Sequence, residues 1–379
     1  MSIRVLVVDD SAMARRVIQQ ELEKVPDIEV VGTAKDPLEA SERIEALNPD
    51  VLTLDMELPK MDGLTFLRSL MRHHPMPVVI VSAYTHKGSR LAMEALESGA
   101  VDVVPKPGMG FNVQEMAAEL VAKVRAASEA KLERRRPAER TDGRVAPVAG
   151  VRPAGQRSDA EPAGRSSTLP RTVSRAAKEA PQVLPPLNRS VPADRVIAIG
   201  SSTGGTQALQ YILSRLPADM PPILIVQHMP EGFTTAFSGR LNQLSALEVK
   251  EAEHNDTVQQ GRVLVAPGGR HMVLRRTGSR LWVEINEGPR VCRQRPSVEV
   301  LYQSVAPLVG SSALAAILTG MGGDGAEGML ALKQAGAVTI AESEDSCVVF
   351  GMPKEAIKLG GVDHIAHLHR IPELLTRFS

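Results

Sequence analysis

The sequence predicts two α/β domains, each on a mainly parallel, doubly wound sheet, joined by a flexible linker. Three observations lead there. Short apolar runs alternate with helix-period segments over residues 3–128, and the alternation resumes at Arg195. Between them, from Arg134 to about Val191, both patterns are missing. Polar residues able to do chemistry stand where the apolar runs stop. At 379 residues the chain is too long for one ordinary core. The expected division is 1–128, a linker over 129–191, and 192–379.

Bulk properties exclude several classes. The 44 acidic residues balance 44 basic ones, which removes any whole-chain argument for nucleic acid or an anionic membrane as partner. Two cysteines, Cys292 and Cys347, are too few for a disulfide scaffold or a thiolate zinc site, as in a reducing compartment. The opening Met1-Ser2-Ile3-Arg4 lacks the form of a signal peptide, and no apolar stretch is long enough to span a bilayer. A cytoplasmic protein without direct membrane insertion is expected.

In the first domain the runs Ile3–Val8, Val51–Leu54, Val78–Val81 and Val101–Val104 have strand length, and Gly63–Arg72 and Ser89–Glu97 have helical period. Ligands of parallel α/β sheets sit at the carboxyl ends of strands. Those ends carry Asp9 and Asp10, Asp55, Ser82 and Lys106-Pro107. Three converging carboxylates repel one another unless a cation joins them, and hard oxygen ligands suit Mg²⁺. Such an ion would also let a carboxylate attack a phosphoryl group, with Lys106 and the Ser82 hydroxyl meeting its oxygens. An isolated aspartate after a strand is usually a helix cap, but four strand ends agreeing by chance is a poor account.

The linker is rich in Pro, Arg, Ala, Ser and Gly, and no aromatic residue occurs between Phe111 and Tyr211. It cannot bury enough apolar surface to offset its ordering entropy, so a solvated tether is expected rather than an arginine-rich site for an acidic partner.

In the second domain, strand-like runs recur at Val196–Ile199, Ile223–Val226, Val263–Val265, Leu314–Leu318 and Val338–Ala341. Between Gly261 and Ile285, VLVAPGGRHMVLRR and RLWVEI read as paired strands, predicting an antiparallel hairpin added to the parallel sheet. The turn Gly200-Ser201-Ser202-Thr203-Gly204-Gly205 lacks the Gly-Lys-Ser/Thr ending of a Walker loop and the glycine spacing of a dinucleotide fingerprint. It does fit G-x-S-x-G centred on Ser202, a turn that exposes a serine hydroxyl. Such a serine needs a base, and the base an orienting acceptor. His228 ends an apolar run on the same rim, whereas His271 opens a strand and His254 lies in a polar loop. Asp324 follows Leu314–Leu318 within TGMGGDG, where glycine lets the backbone approach closely. The plain alternatives are a core-edge histidine and a helix cap.

The first domain resembles the receiver domain of bacterial response regulators over roughly 1–125, through VLVVDDS, LDMELPKMDGL, VVIVSA and VPKP. The resemblance implies a flavodoxin-like fold, Asp55 as phosphoacceptor, Asp9 and Asp10 at the metal, Ser82 as switch hydroxyl and Lys106 as phosphate partner. Val103 stands where many receivers carry Phe or Tyr. The second domain resembles the chemotaxis protein-glutamate methylesterase family (CheB type) through AIGSSTGGTQAL, LIVQHMPEGFT, VLVAPGGRHM, RPSVEVL, ILTGMGGDGAEGML and SCVVFGMPKEAI. This implies hydrolysis of glutamyl methyl esters on methyl-accepting chemotaxis receptors, often with glutamine deamidation. Ser202 would attack, His228 act as base and acid, Asp324 orient it and the Met321 backbone amide hold the oxyanion, with no cofactor. Gly323 departs from the Asn often found there. A chemotaxis histidine kinase is the implied phosphodonor, and phosphorylation is implied to relieve a receiver that covers the active site. A DNA-binding output lacks a helix-turn-helix or basic domain to support it. A catalytically dead interaction module would not need all three polar groups.

Overall fold

The apolar runs of the first domain become strands because each is too short for a helix and is covered on both faces. In the computed structural model, which describes residues 2–83, 85–106, 113–130, 182–187, 192 and 194–379, five strands form a parallel sheet. They are β1 (Ile3–Val8), β2 (Ile28–Ala34), β3 (Val51–Asp55), β4 (Val78–Ser82) and β5 (Asp102–Pro105), in the order β2-β1-β3-β4-β5. The order reverses between β1 and β3, which opens a crevice at their carboxyl ends. β3 and β4 are buried throughout, while edge strand β2 is half-exposed and so has no continuous apolar signal.

The helices are α1 (Ala12–Glu23), α2 (Pro37–Leu47), α3 (Gly63–His73), α4 (His86–Glu97) and α5 (Val113–Ser128). Ser11, Asp36, Asp62 and Thr85 cap the first four with their side chains. Capping therefore falls to residues other than Asp9, Asp10 and Asp55.

The second domain has a seven-stranded parallel sheet in the order β14-β13-β12-β6-β7-β9-β8. Its members are β6 (Val196–Ser201), β7 (Ile223–Gln227), β8 (Glu248–Glu251), β9 (Arg262–Val265), β12 (Ala313–Ile317), β13 (Val338–Glu342) and β14 (His364–Ala366). β10 (His271–Thr277) and β11 (Arg280–Asn286) form the antiparallel hairpin. Here the sequence expectation needs correction in detail. The hairpin is a separate two-stranded sheet, and the run at 263–265 belongs to β9, which pairs in parallel with β7 and β8. The Pro-Gly-Gly segment after β9 breaks the ladder before β10 begins.

Six helices complete this domain: α6 (Gly205–Leu213), α7 (Phe233–Leu244), α8 (Val298–Val309), α9 (Ala326–Gln334), α10 (Met352–Lys358) and α11 (Ile371–Phe378). Alternation along β6 feeds two cores. Ile197 and Ile199 pack with Leu209, Phe233 and Phe237, whereas Val196 and Ala198 pack with Tyr302, Met272 and Leu301. The first of these cores also contains Met93, Leu96 and Ala100 of the N-terminal domain, so both domains share one apolar cluster. The described residues fall in one compact unit. Most of the expected linker, 129–191, lies outside the described residues.

The turn between β6 and α6 depends on Gly204, whose φ of +82° is a conformation that residues with a Cβ rarely adopt. A Cβ there would stand 2.5 Å from Val348 Cβ and 3.1 Å from Thr319 Cγ2. Gly204→Ala is expected to destabilise the protein by about 1–3 kcal/mol from backbone strain alone. Thermal unfolding reads this as a lowered Tm, and an unchanged Tm would refute the constraint.

Candidate functional site

Two sites occupy strand ends, one in each sheet. In the first, Asp9 follows β1, Asp55 ends β3 and Lys106 follows β5. Ligand oxygens of Asp9, Asp10 and Asp55 lie within 4.8 Å of one another. Asp9 and Asp55 are buried, and Asp10 is exposed. The Lys106 ammonium reaches both buried carboxylates, at 2.8 Å from Asp9 Oδ2 and 2.7 Å from Asp55 Oδ2. Burial, with Asp9 adding like charge, pushes the Asp55 carboxyl above its ordinary range despite Lys106. Burial would lower Lys106, but the two carboxylates hold it above the usual lysine value. A single cation among three carboxylates leaves excess negative charge, and an all-oxygen donor set fits a hard divalent metal ion. Ser82, ending β4, is buried and donates to the Gly88 carbonyl at 3.3 Å. Val103 is buried in the apolar core, so no aromatic rotamer is available at its position.

The second site begins where β6 and β7 end. Their parallel pairing sets Ser201 beside Gln227, so the next residues, Ser202 and His228, leave the sheet side by side. Gln227 clamps both turns: its amide donates to the Ser202 carbonyl at 2.9 Å and the His228 carbonyl at 3.2 Å, while Ser201 Oγ donates to it at 2.7 Å. Ser202 is also tied to the next strand by its N–H, which donates to the Thr319 carbonyl at 3.0 Å. Close approach there requires glycine, since a Cβ on Gly320 would stand 2.6 Å from Ser202 Cβ.

His228 is 6% exposed and its Nε2 lies 2.7 Å from Asp324 Oδ2. An ionised carboxylate only accepts, so this assigns the proton to Nε2 and leaves Nδ1 as the acceptor. Nδ1 is buried and has no partner among the described residues. Ser202, His228, Met321 and Asp324 line one cavity of about 890 Å³.

Asp324 is the most heavily bonded of these groups. Oδ1 accepts from Ser297 Oγ at 2.7 Å and the Glu299 N–H at 3.0 Å, and Oδ2 accepts from the Val298 N–H at 2.8 Å as well as from His228. The carboxylate thus sits at the positive end of α8. Burial would raise its pKa, but hydrogen bonds from His228, Ser297 and Glu299 hold it below the ordinary carboxylate range. Behind it, Ser297 N–H donates to His271 Nδ1 at 3.2 Å, and His271 Nε2 lies 2.9 Å from the Pro289 carbonyl. Burial lowers the His271 pKa and favours its neutral form.

The structure brings Ser202, His228, Met321 and Asp324 to one cavity and Asp9, Asp10, Asp55 and Lys106 to the other site. Sequence reasoning missed Gln227, Ser297 and His271 as supporting groups. Ser297 carried a signal, since Ser297-Val298-Glu299 opens an apolar helical run, but a cap that also holds a carboxylate from another segment is visible only in three dimensions.

Receiver residues wall the second cavity. Ala118, Glu119 and Lys123 of α5 line it together with His228. Thr203 Oγ1 donates to Asp102 Oδ2 at 2.6 Å, and Asp102 also pairs with Lys123 at 2.9 Å. Gln207 donates to the Leu96 carbonyl at 2.9 Å, and Arg240 pairs with Glu97 at 2.5 Å. Among the described residues no helix is long and apolar enough to cross a membrane.

A receiver-type sheet with an acidic pocket, joined to a parallel α/β domain with a buried imidazole–carboxylate pair, defines a response regulator with an enzymatic output domain. Residues 5–119 match the response regulator receiver domain family and 197–375 the CheB methylesterase family. The chain is 49% identical over 375 residues to protein-glutamate methylesterase/protein-glutamine glutaminase 2 of Syntrophus aciditrophicus (strain SB), covering 99% of this chain and 98% of that protein. It is 49% identical over 374 residues to protein-glutamate methylesterase/protein-glutamine glutaminase 4 of Anaeromyxobacter dehalogenans (strain 2CP-C), covering 98% and 94%. The crystal structure of the Thermotoga maritima CheB methylesterase catalytic domain is 40% identical, covering 49% of this chain and 98% of that one, with a TM-score of 0.48. The chain belongs to the CheB family of protein-glutamate methylesterases.

The depressed pKa of Asp324 has a defined consequence for stability. A carboxyl whose folded pKa lies below its unfolded value stabilises fully above the unfolded pKa, near 3.9 for aspartate, and loses that contribution as pH falls through the lower folded value. The Tm difference between wild type and Asp324→Asn is therefore expected to be constant at neutral pH and to shrink below about pH 4. A difference that grows on acidification would contradict the assignment.

Proposed function

We propose that this chain hydrolyses γ-glutamyl methyl esters on methyl-accepting chemotaxis receptors, with glutamine deamidation as its second reaction, under control of receiver phosphorylation. The observation that carries the chemistry is the His228–Asp324 pair at 2.7 Å, with the second ring nitrogen buried and without a partner among the described residues, on a histidine that lines the same cavity as Ser202. Ser202 Oγ attacks the ester carbonyl while His228 Nδ1 takes its proton. The carbonyl oxygen becomes an oxyanion facing the Met321 amide on the glycine-rich wall. Methoxide leaves with the proton from His228, as methanol, and a glutamyl–Ser202 ester remains. Water then attacks this ester, losing a proton to His228, which passes it to the departing Ser202 oxygen, and the glutamic acid formed releases its proton to solvent as the carboxylate. For glutamine the leaving group is ammonia. Asp324, kept anionic by α8, fixes the ring and offsets the charge that His228 gains.

In the receiver, Asp55 is the proposed phosphoacceptor, with a chemotaxis histidine kinase as donor. Asp9, Asp10 and Asp55 would hold Mg²⁺, which when bound neutralises charge between the acceptor and the incoming phosphoryl group. Lys106 and Ser82 would meet the phosphoryl oxygens. Lys106 follows β5, whose first residue, Asp102, binds Thr203 beside the proposed nucleophile. A shift of Lys106 toward a phosphoryl group thus acts on the strand that holds the receiver over the cavity.

Two measurements test this reading. Ser202→Ala and His228→Ala are expected to lower methanol release from methylated receptor membranes by about 10⁴-fold, and wild-type rates in either would refute the triad. Glu97→Arg or Arg240→Glu is expected to raise activity without phosphodonor by a few-fold, since a part-exposed ion pair contributes about 1 kcal/mol or less. The charge-swapped double variant should return to the wild-type basal rate, and unchanged single variants would count against the docked face as the inhibitory one.

A further inference from the structure

The cavity wall facing the receiver carries four arginines, Arg270, Arg290, Arg293 and Arg295. Two are committed. Arg270 pairs with Glu287 at 3.3 Å, and Arg295 donates to the carbonyls of Glu287 and Gly288 at 3.2 and 3.1 Å. Among the described residues, the other two are not held by their own domain. Arg293 is exposed and has no hydrogen bond or ion pair among the described residues. Among the described residues, the one ion pair of Arg290 is to Glu115 of the receiver, at 3.9 Å. Of the acidic groups on the same wall, Asp324 is taken by His228 and Glu287 by Arg270, which leaves Glu231 against the two arginines.

Backbone conformation reinforces the choice. Cys292 and Arg293 both lie in the left-handed region, at φ +50° and +67°. They form the tip of a two-residue turn closed by Val291 and Gln294, whose mutual N–H to carbonyl bonds are 2.8 and 3.1 Å. Such turns favour Asn and Gly at both positions. A cysteine and an arginine held there are strained, and strain of this kind collects at ligand-binding sites.

Receiver helix α5 lines the same cavity. Glu119 is paired with Lys123 of its own helix at 2.9 Å, so Glu115, 3.9 Å from Arg290, is the α5 carboxylate that meets the arginine wall. We propose that Arg290 and Arg293 form a carboxylate-binding subsite that recognises free glutamates flanking the reactive glutamyl group on the substrate, and that Glu115 of receiver helix α5 stands in for one such carboxylate when the domains are docked. This rests on the hydrolase reading above and extends it to the substrate class: a glutamyl ester within an acidic, helix-forming segment. Guanidinium groups suit carboxylates because two N–H donors can meet both oxygens.

The test measures methanol release by the phosphorylated full-length protein on methylated receptor membranes, in the presence of unmethylated 20-residue helical peptides. One peptide carries glutamates at i and i+4, and its counterpart carries glutamines there. The glutamate peptide is expected to inhibit competitively, about tenfold more strongly than the glutamine peptide, with the difference falling as salt rises. Arg290→Ala/Arg293→Ala should lose this preference and raise KM for the receptor with kcat unchanged, while the double lysine variant should recover part of it. Equal or absent inhibition by the two peptides, or a preference that survives in the alanine variant, would overturn the subsite. No methanol release by the wild type at all would sink the hydrolase reading instead.

Discussion

The candidate active site depends on how one carboxylate is kept charged inside the protein. Asp324 is 3% exposed, and an isolated anion at that depth would take up a proton rather than stay ionised. Two backbone N–H groups at the start of α8, the Ser297 hydroxyl and the His228 ring all donate to it. Only an anionic Asp324 fixes the His228 tautomer, and only that tautomer leaves Nδ1 free to accept a proton. The proposed chemistry of the cavity thus begins with a helix terminus packed behind it.

The same logic of shared partners joins the two domains. Asp102 is buried at the start of β5 and would be costly alone, yet it is met by Lys123 from its own domain and Thr203 from the other. A buried polar group with partners on both sides is satisfied only when the domains are docked. Around it, an apolar cluster spans both domains through Met93, Leu96 and Phe233. Docking is therefore favourable in two ways: apolar burial supplies non-specific attraction, and the Asp102 contacts fix the register. A receiver seated in this manner brings α5 to the cavity, where Glu115 meets Arg290.

Much of the strand-end chemistry was legible in the sequence for a simple reason. In a parallel α/β sheet the strands are continuous apolar runs, and the residue after each run must stand on one rim. Asp9, Asp55, Lys106, Ser202 and His228 could be found from their places at or just past the ends of such runs. The hairpin shows where that procedure fails. Val263–Val265 and the run from His271 look alike in composition, but the first found parallel neighbours in β7 and β8 while the second paired with β11 outside the sheet. Short apolar runs carry no record of their partners.

By itself the sequence determined the two-domain α/β plan, the acidic and lysine set of the receiver, and the serine turn with its histidine and aspartate, since each arises from local pattern and strand-end position. Only the tertiary structure decided that Ser297 and α8 hold Asp324, that Gln227 clamps both turns, and that Glu115 of α5 meets Arg290. Those contacts join segments far apart along the chain. Local pattern fixes where a side chain stands on its own element, but which distant element meets it is set by packing of the whole core.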